Sequence, residues 1–149
     1  MSTAFGPQPL RLSANDFFLG LFAALRLRGQ TAFSVRDDRF DAVIKDVYES
    51  LSHRAIVANI DVRFRIRPHP IYGDSTTVRK ALTAAAQRRI ISFDNPEYLD
   101  IRIQMDEAEA HRKLLSLHAP DGLFDELATE FLAKYRDRRV SVPQPSPRA

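Results

Sequence analysis

Apolar residues change their spacing several times along this chain, and each change predicts an element. From Phe17 to Leu25 no side chain is charged, and Phe17, Phe18, Leu21, Phe22 and Leu25 fall on one face of a helix. Leu19, Ala23, Ala24 and Leu27 extend the apolar surface around it, so this first helix is either central or lies in an interface. Ser13 or Asn15 caps its start, and Gly29, just past Arg28, suits the left-handed residue that closes a helix. A second helix is predicted over about Asp37 to His53, where Phe40, Val43, Ile44, Val47, Tyr48 and Leu51 keep to one side. Ser34 and Asp37 form a capping-box pattern at its start. Asp37, Asp38 and Asp41 in the first turn and Arg54 beyond the end complement the helix dipole.

The period then drops to 2. Ile60, Val62, Phe64 and Ile66 alternate with Asp61, Arg63, Arg65 and Arg67 until Pro68, which predicts a strand with one apolar face and one row of arginines. After a turn or loop at His69 to Gly73, Asp74 or Ser75 caps a third helix running to about Arg88, with Val78, Leu82, Ala85 and Ala86 inward. Ile90 to Phe93, a turn at Asp94 to Glu97, and Tyr98 to Met105 read as a hairpin. In its second strand Leu99, Ile101, Ile103 and Met105 face in, while Asp100, Arg102 and Gln104 face out. Helices over about Asp106 to Leu117 and Asp121 to Arg136 complete the series, the last with Leu123, Phe124, Leu127, Ala128, Phe131, Leu132 and Tyr135 on one side. The order ααβαββαα predicts an α+β fold with a small three-stranded antiparallel or mixed sheet and about five helices. A helix leading into a hairpin and then into two terminal helices loosely resembles a winged helix in general shape. The likeness ends there: a helix-turn-helix joins its helices by a turn of about 3 to 4 residues, whereas Ala55 to Asp74 separates the second and third helices here. No family follows from it. Residues 1–12 are expected to be a flexible N-terminal arm, 13–137 one α+β domain, and 138–149 a flexible tail with Pro143, Pro145 and Pro147 at alternate positions.

Composition narrows the classes. At 149 residues, 44% hydrophobic and 28% charged, the chain has the make-up of one folded domain, neither disordered nor fibrous. The absence of cysteine excludes a disulfide scaffold, a thiol nucleophile and Cys-ligated metal. Five glycines, at 6, 20, 29, 73 and 122, are too scattered for a phosphate-cradling loop. The apolar run of nine residues falls short of the about 20 needed to span a membrane, and its flanks lack signal-peptide features, so a cytoplasmic protein without a membrane anchor is expected.

Charge is unevenly placed. Residues 54–93 hold eight basic against two acidic groups, whereas residues 94–137 hold five basic against eleven acidic. Between Asp74 and Asp94 there is no acidic residue at all. The resulting candidate surface for nucleic acid comprises Arg63, Arg65 and Arg67 on the strand, with Thr76, Thr77, Arg79, Lys80, Thr83, Gln87, Arg88 and Arg89 on and after the third helix. Cations suit phosphates, while Gln, Thr and Arg can reach base edges. The plainer reading is solvation: arginines ending a helix and lining an exposed strand. The acidic turn at Asp94 and Glu97 argues against a phosphate-gripping wing, and exposed aromatics for single-strand stacking reduce to Tyr72 and Tyr98.

Other chemistries are weakly supplied. His53, His69, His111 and His118 show no metal-ligand spacing, and Ser50 and Ser52 beside His53 are explained by a helix end. Asp94, Glu97 and Asp100 would be the carboxylates of a small metal-dependent nuclease, but turn formation and cross-strand pairing with Arg63 or Arg65 account for them. The loop 69–76, with His69, Tyr72 and Gly73, is the best small-ligand candidate, against which Asp74 would repel an anion. The expectation is therefore a non-enzymatic nucleic-acid-binding protein, regulator-like, without cofactor or metal, dimeric through its apolar helices. The alternative is a protein-interaction module, such as an assembly factor or antitoxin-like inhibitor, that holds an acidic or apolar protein partner with the first helix and the Pro-rich tail.

Overall fold

The structure, a computed structural model, describes residues 10–34, 39–66, 76–93, 100–120 and 122–141. In chain order these form β1 (Leu10–Leu12), α1 (Ala14–Leu27), β2 (Ala32–Ser34), α2 (Arg39–Ala58), β3 (Ile60–Val62), α3 (Thr76–Gln87), β4 (Ile91–Phe93), β5 (Asp100–Ile103), α4 (Glu107–Ser116) and α5 (Leu123–Ser141). The fold is α+β, with the expected series of helices and strands and two further short strands, β1 and β2.

Ser13 starts α1 through a reciprocal capping box: its hydroxyl accepts from the Asp16 backbone N–H at 3.1 Å, and the Asp16 carboxylate accepts from the Ser13 N–H at 3.4 Å. The helix ends in a Schellman motif. Gly29, at φ 88°, donates its N–H to the Arg26 carbonyl at 3.0 Å, and Gln30 donates to the Leu25 carbonyl at 3.0 Å. Every residue from Phe17 to Leu25 is buried, because α1 packs against α3, α4 and α5 and lies at the centre of the molecule. Full burial of each Phe or Leu there stabilises by about 1.5–3 kcal/mol relative to exposure. Gly20 faces α5, where a Cβ built on it would lie 2.5 Å from the Phe124 ring, so only glycine admits that ring so close. Phe33 stands edge-on to Phe131 at 5.2 Å and Phe40 edge-on to Phe131 at 5.9 Å, joining β2, α2 and α5 in one aromatic cluster.

The strands form two sheets. In the three-stranded antiparallel sheet β5 lies between β2 and β4, with Phe33, Ile101 and Phe93 in line across it and Ile91 opposite Ile103. Phe33, Ile91, Ile101 and Ile103 are buried, whereas Arg102, opposite both Ala32 and Ser92, is exposed. The inward set Ile101, Ile103 and Met105 and the outward Arg102 and Gln104 agree with the alternation. The third member of this sheet differs from the expectation. The strand at Ile60 pairs in parallel with β1, Leu10 opposite Ile60 and Leu12 opposite Val62, and the hairpin's partner is instead β2. β1 offers only three residues, so β3 stops at Val62 although the in–out pattern continues, with Phe64 half-buried and Ile66 buried. Residues 10–12, within the N-terminal stretch expected as an arm, are thus tied to the body, and Leu12 is only 1% exposed.

Helix α2 continues past His53 to Ala58 and ends on Asn59 at φ 59°. Of the predicted cap, Ser34 is the last residue of β2 and Asp37 lies outside the described residues, as do the loop 69–74 and the hairpin turn Asp94 to Glu97. Between Ala58 and Thr76 the chain forms β3, so α2 and α3 are not joined by the short turn of a helix-turn-helix. No helix among the described residues is long and apolar enough to cross a membrane.

Candidate nucleic-acid interface

Helix α3 divides cleanly. Val78, Ala81, Leu82 and Ala85 are buried, and the helix packs on α1 and β4. The remaining surface is polar: Arg79, Lys80, Thr83 and Gln87 are exposed and Thr77 is half-buried. Positions 79, 83 and 87 recur at i+4, so they form one ridge with Lys80 beside it. Thr76 is the first residue of the helix, and its side chain lies outside the described set. The Thr83 hydroxyl donates to the Arg79 carbonyl at 3.0 Å, so its hydrogen is held by the helix itself while its oxygen still faces solvent.

The helix end adds two cations. Arg88 donates its N–H to the Ala84 carbonyl at 3.0 Å, Arg89 to Ala86 at 3.1 Å and Ile90 to Ala85 at 2.9 Å. The last two bonds are those of a Schellman motif with Arg89, at φ 63°, where glycine is the usual occupant. Both arginine side chains are exposed. Because the sequence holds no acidic residue between Asp74 and Asp94, neither α3 nor β4 places a carboxylate within this surface.

The strand arginines are arranged differently. Arg63 and Arg65 are exposed on the segment after β3, and Arg67 lies outside the described residues. One Arg63 guanidinium nitrogen sits 3.0 Å from the Asp61 carboxylate, which offsets part of its charge. This corrects the expected pairing of Arg63 with the hairpin carboxylates: β3 is not in the hairpin's sheet, and Asp100 stands opposite Ser34 of β2. Since β3 pairs with β1 and packs on α2, whereas α3 packs on α1 and β4, the two basic groups are carried by different neighbours. Arg102 on β5 is an exposed cation that the sequence reading placed outward without assigning it to the surface.

Two other expectations can be located. The apolar stretch of α1 from Phe17 to Leu25 is buried within the chain, so that face is not available to hold a partner; the Pro-rich segment from residue 142 onward lies outside the described residues. Of the nuclease carboxylates, Asp100 is half-buried on β5, and Asp94 and Glu97 lie outside the described set. Among the described residues no group of three or more His, Asp or Glu gathers in a way that could hold a metal ion. Sequence reasoning also passed over Ile56, Val57 and Leu115, which are strongly exposed. Comparison of the chain with protein-family models, with curated proteins and with solved structures yields no match.

Proposed function

We propose that this is a non-enzymatic nucleic-acid-binding protein that lays α3 against a duplex. The observation that carries this reading is the composition of one exposed helix face and its end: Arg79, Lys80, Thr83, Gln87, Arg88 and Arg89, without a carboxylate. A cationic ridge of this kind gains from phosphate contact by releasing condensed counterions, and its Gln and Thr can form hydrogen bonds with base edges. Burial of the opposite face against α1 and β4 holds the ridge in place, so little ordering cost arises on binding. Arg63, Arg65 and Arg102 are accessory cations in this reading.

The test is equilibrium binding of a labelled random-sequence duplex to the wild type and to a variant carrying Arg79→Ala, Lys80→Ala and Arg88→Ala. All three residues are exposed, and such surface changes shift stability by about 0.5 kcal/mol or less each. The variant is expected to bind on the order of 100-fold more weakly, about 1 kcal/mol per lost phosphate contact, with an unchanged far-ultraviolet dichroism spectrum. Equal affinity in the two proteins would remove α3 from the interface.

A further inference from the structure

Around the axis of α3 the side chains are sorted by type as well as by exposure. Val78, Ala81, Leu82 and Ala85 are buried and occupy an arc of about 100° at 3.6 residues per turn. On the opposite side Arg79, Thr83 and Gln87 are exposed and advance by about 40° from one turn to the next, with Lys80 about 20° beyond Gln87. Uncharged Thr83 and Gln87 thus lie between a cation on each side. Half-buried Ala86 comes next after Arg79 and half-buried Ala84 next after Lys80, and two methyl groups at these margins leave the face open to close approach.

The two central side chains offer a defined set of hydrogen bonds. The Thr83 hydroxyl donates to the Arg79 carbonyl at 3.0 Å, so toward a ligand it acts as an acceptor. The Gln87 amide pairs with no other described residue and offers a donor and an acceptor side by side. Adenine presents the complementary pair, the N7 acceptor and the N6 amino donor, on its major-groove edge, and glutamine meets both at once. A helix about 10–12 Å across fits the B-form major groove, about 12 Å wide, whereas the deep, narrow major groove of A-form RNA does not admit side chains. Along the axis Thr83 and Gln87 are about 6 Å apart, less than two base-pair steps of about 3.4 Å, so they meet neighbouring pairs while the flanking cations face the phosphates. We propose that Gln87 is the specificity-determining residue of this surface, reading an adenine in the major groove of B-form DNA beside a pair contacted by Thr83. This rests on the duplex-binding reading of α3 and adds to it the class of nucleic acid and the base.

The test enriches a random-sequence DNA duplex library on the full chain, as wild type and as Gln87→Ala and Gln87→Glu variants, and then measures affinity for the enriched duplex and its single-pair substitutions. Gln87 is exposed, so both variants keep the fold. The wild type is expected to enrich an A·T pair preferred over G·C by about 5- to 150-fold. Gln87→Ala should lose that preference at that pair alone, with the salt dependence of random-duplex binding unchanged, because no phosphate contact is removed. Gln87→Glu should favour C·G there, since a carboxylate accepts from the cytosine amino group. Salt-dependent duplex binding without an enriched sequence, or a preference that Gln87→Ala leaves intact, overturns the proposal and leaves the duplex-binding reading standing. Equal selectivity for an RNA duplex of the enriched sequence overturns the assignment to the B-form groove. Absence of duplex binding at low salt overturns both readings.

Discussion

Arg89 adopts the left-handed conformation that side chains resist, at a cost of about 1 kcal/mol, in order to close α3. Replacing it with glycine should therefore raise stability by about 0.5–1 kcal/mol while weakening nucleic-acid binding, whereas Arg89→Ala should weaken binding without that gain. Urea unfolding alongside duplex binding separates the two effects, and a glycine variant less stable than the wild type would contradict the assigned backbone. Gly20 is the converse case. Gly20→Ala adds a methyl group 2.5 Å from the Phe124 ring, so it should destabilise by about 1–3 kcal/mol despite alanine's better helix propensity. A melting temperature at or above that of the wild type would mean that α1 and α5 do not approach so closely. The cap at Ser13 and the stop at Gly29 were legible because each depends on residue type within a few positions. The left-handed residues Asn59, Arg89 and His118 were not, since each follows the end of a helix without the glycine that would announce it.

At the scale of elements, periodic segments were readable and the short strands β1 and β2 were not. Helix α1 declared itself through an apolar surface too wide for one contact, and it proves to contact α3, α4 and α5. β1 and β2 are too short for alternation to register, and β1 pairs with β3 across the whole of α1 and α2, a separation that periodicity cannot sense. The hairpin partner was accordingly misassigned, and with it the expected contact between Arg63 and the hairpin carboxylates. Leu12 gives this pairing a measurable consequence. Its side chain is 1% exposed, so Leu12→Ala should cost about 2–5 kcal/mol in chemical denaturation, against less than about 0.5 kcal/mol for a residue in a free arm. The exposed Ile56 and Val57 went unread for a related reason: the helix was expected to end at His53, which left them without a face to belong to.

For the whole molecule, the segregation of charge along the chain is the feature most relevant to function. Residues 54–93 are strongly basic and residues 94–137 strongly acidic, and the fold presents the basic residues of α3 on an exposed ridge instead of burying them. The candidate surface was legible to the extent that residue type and helical spacing define it; whether its strand and helix portions act together depends on tertiary neighbours that spacing does not encode. A surface that grips phosphates obeys counterion release, in which log affinity falls linearly with log salt by about 0.9 per contact. The decisive measurement is the salt dependence of duplex affinity for the wild type and for the Arg79→Ala, Lys80→Ala, Arg88→Ala variant. A steep negative slope that becomes shallower by roughly 2.7 in the variant, three contacts fewer, is the predicted result. A flat wild-type slope, or the same slope in both proteins, would contradict phosphate binding by α3.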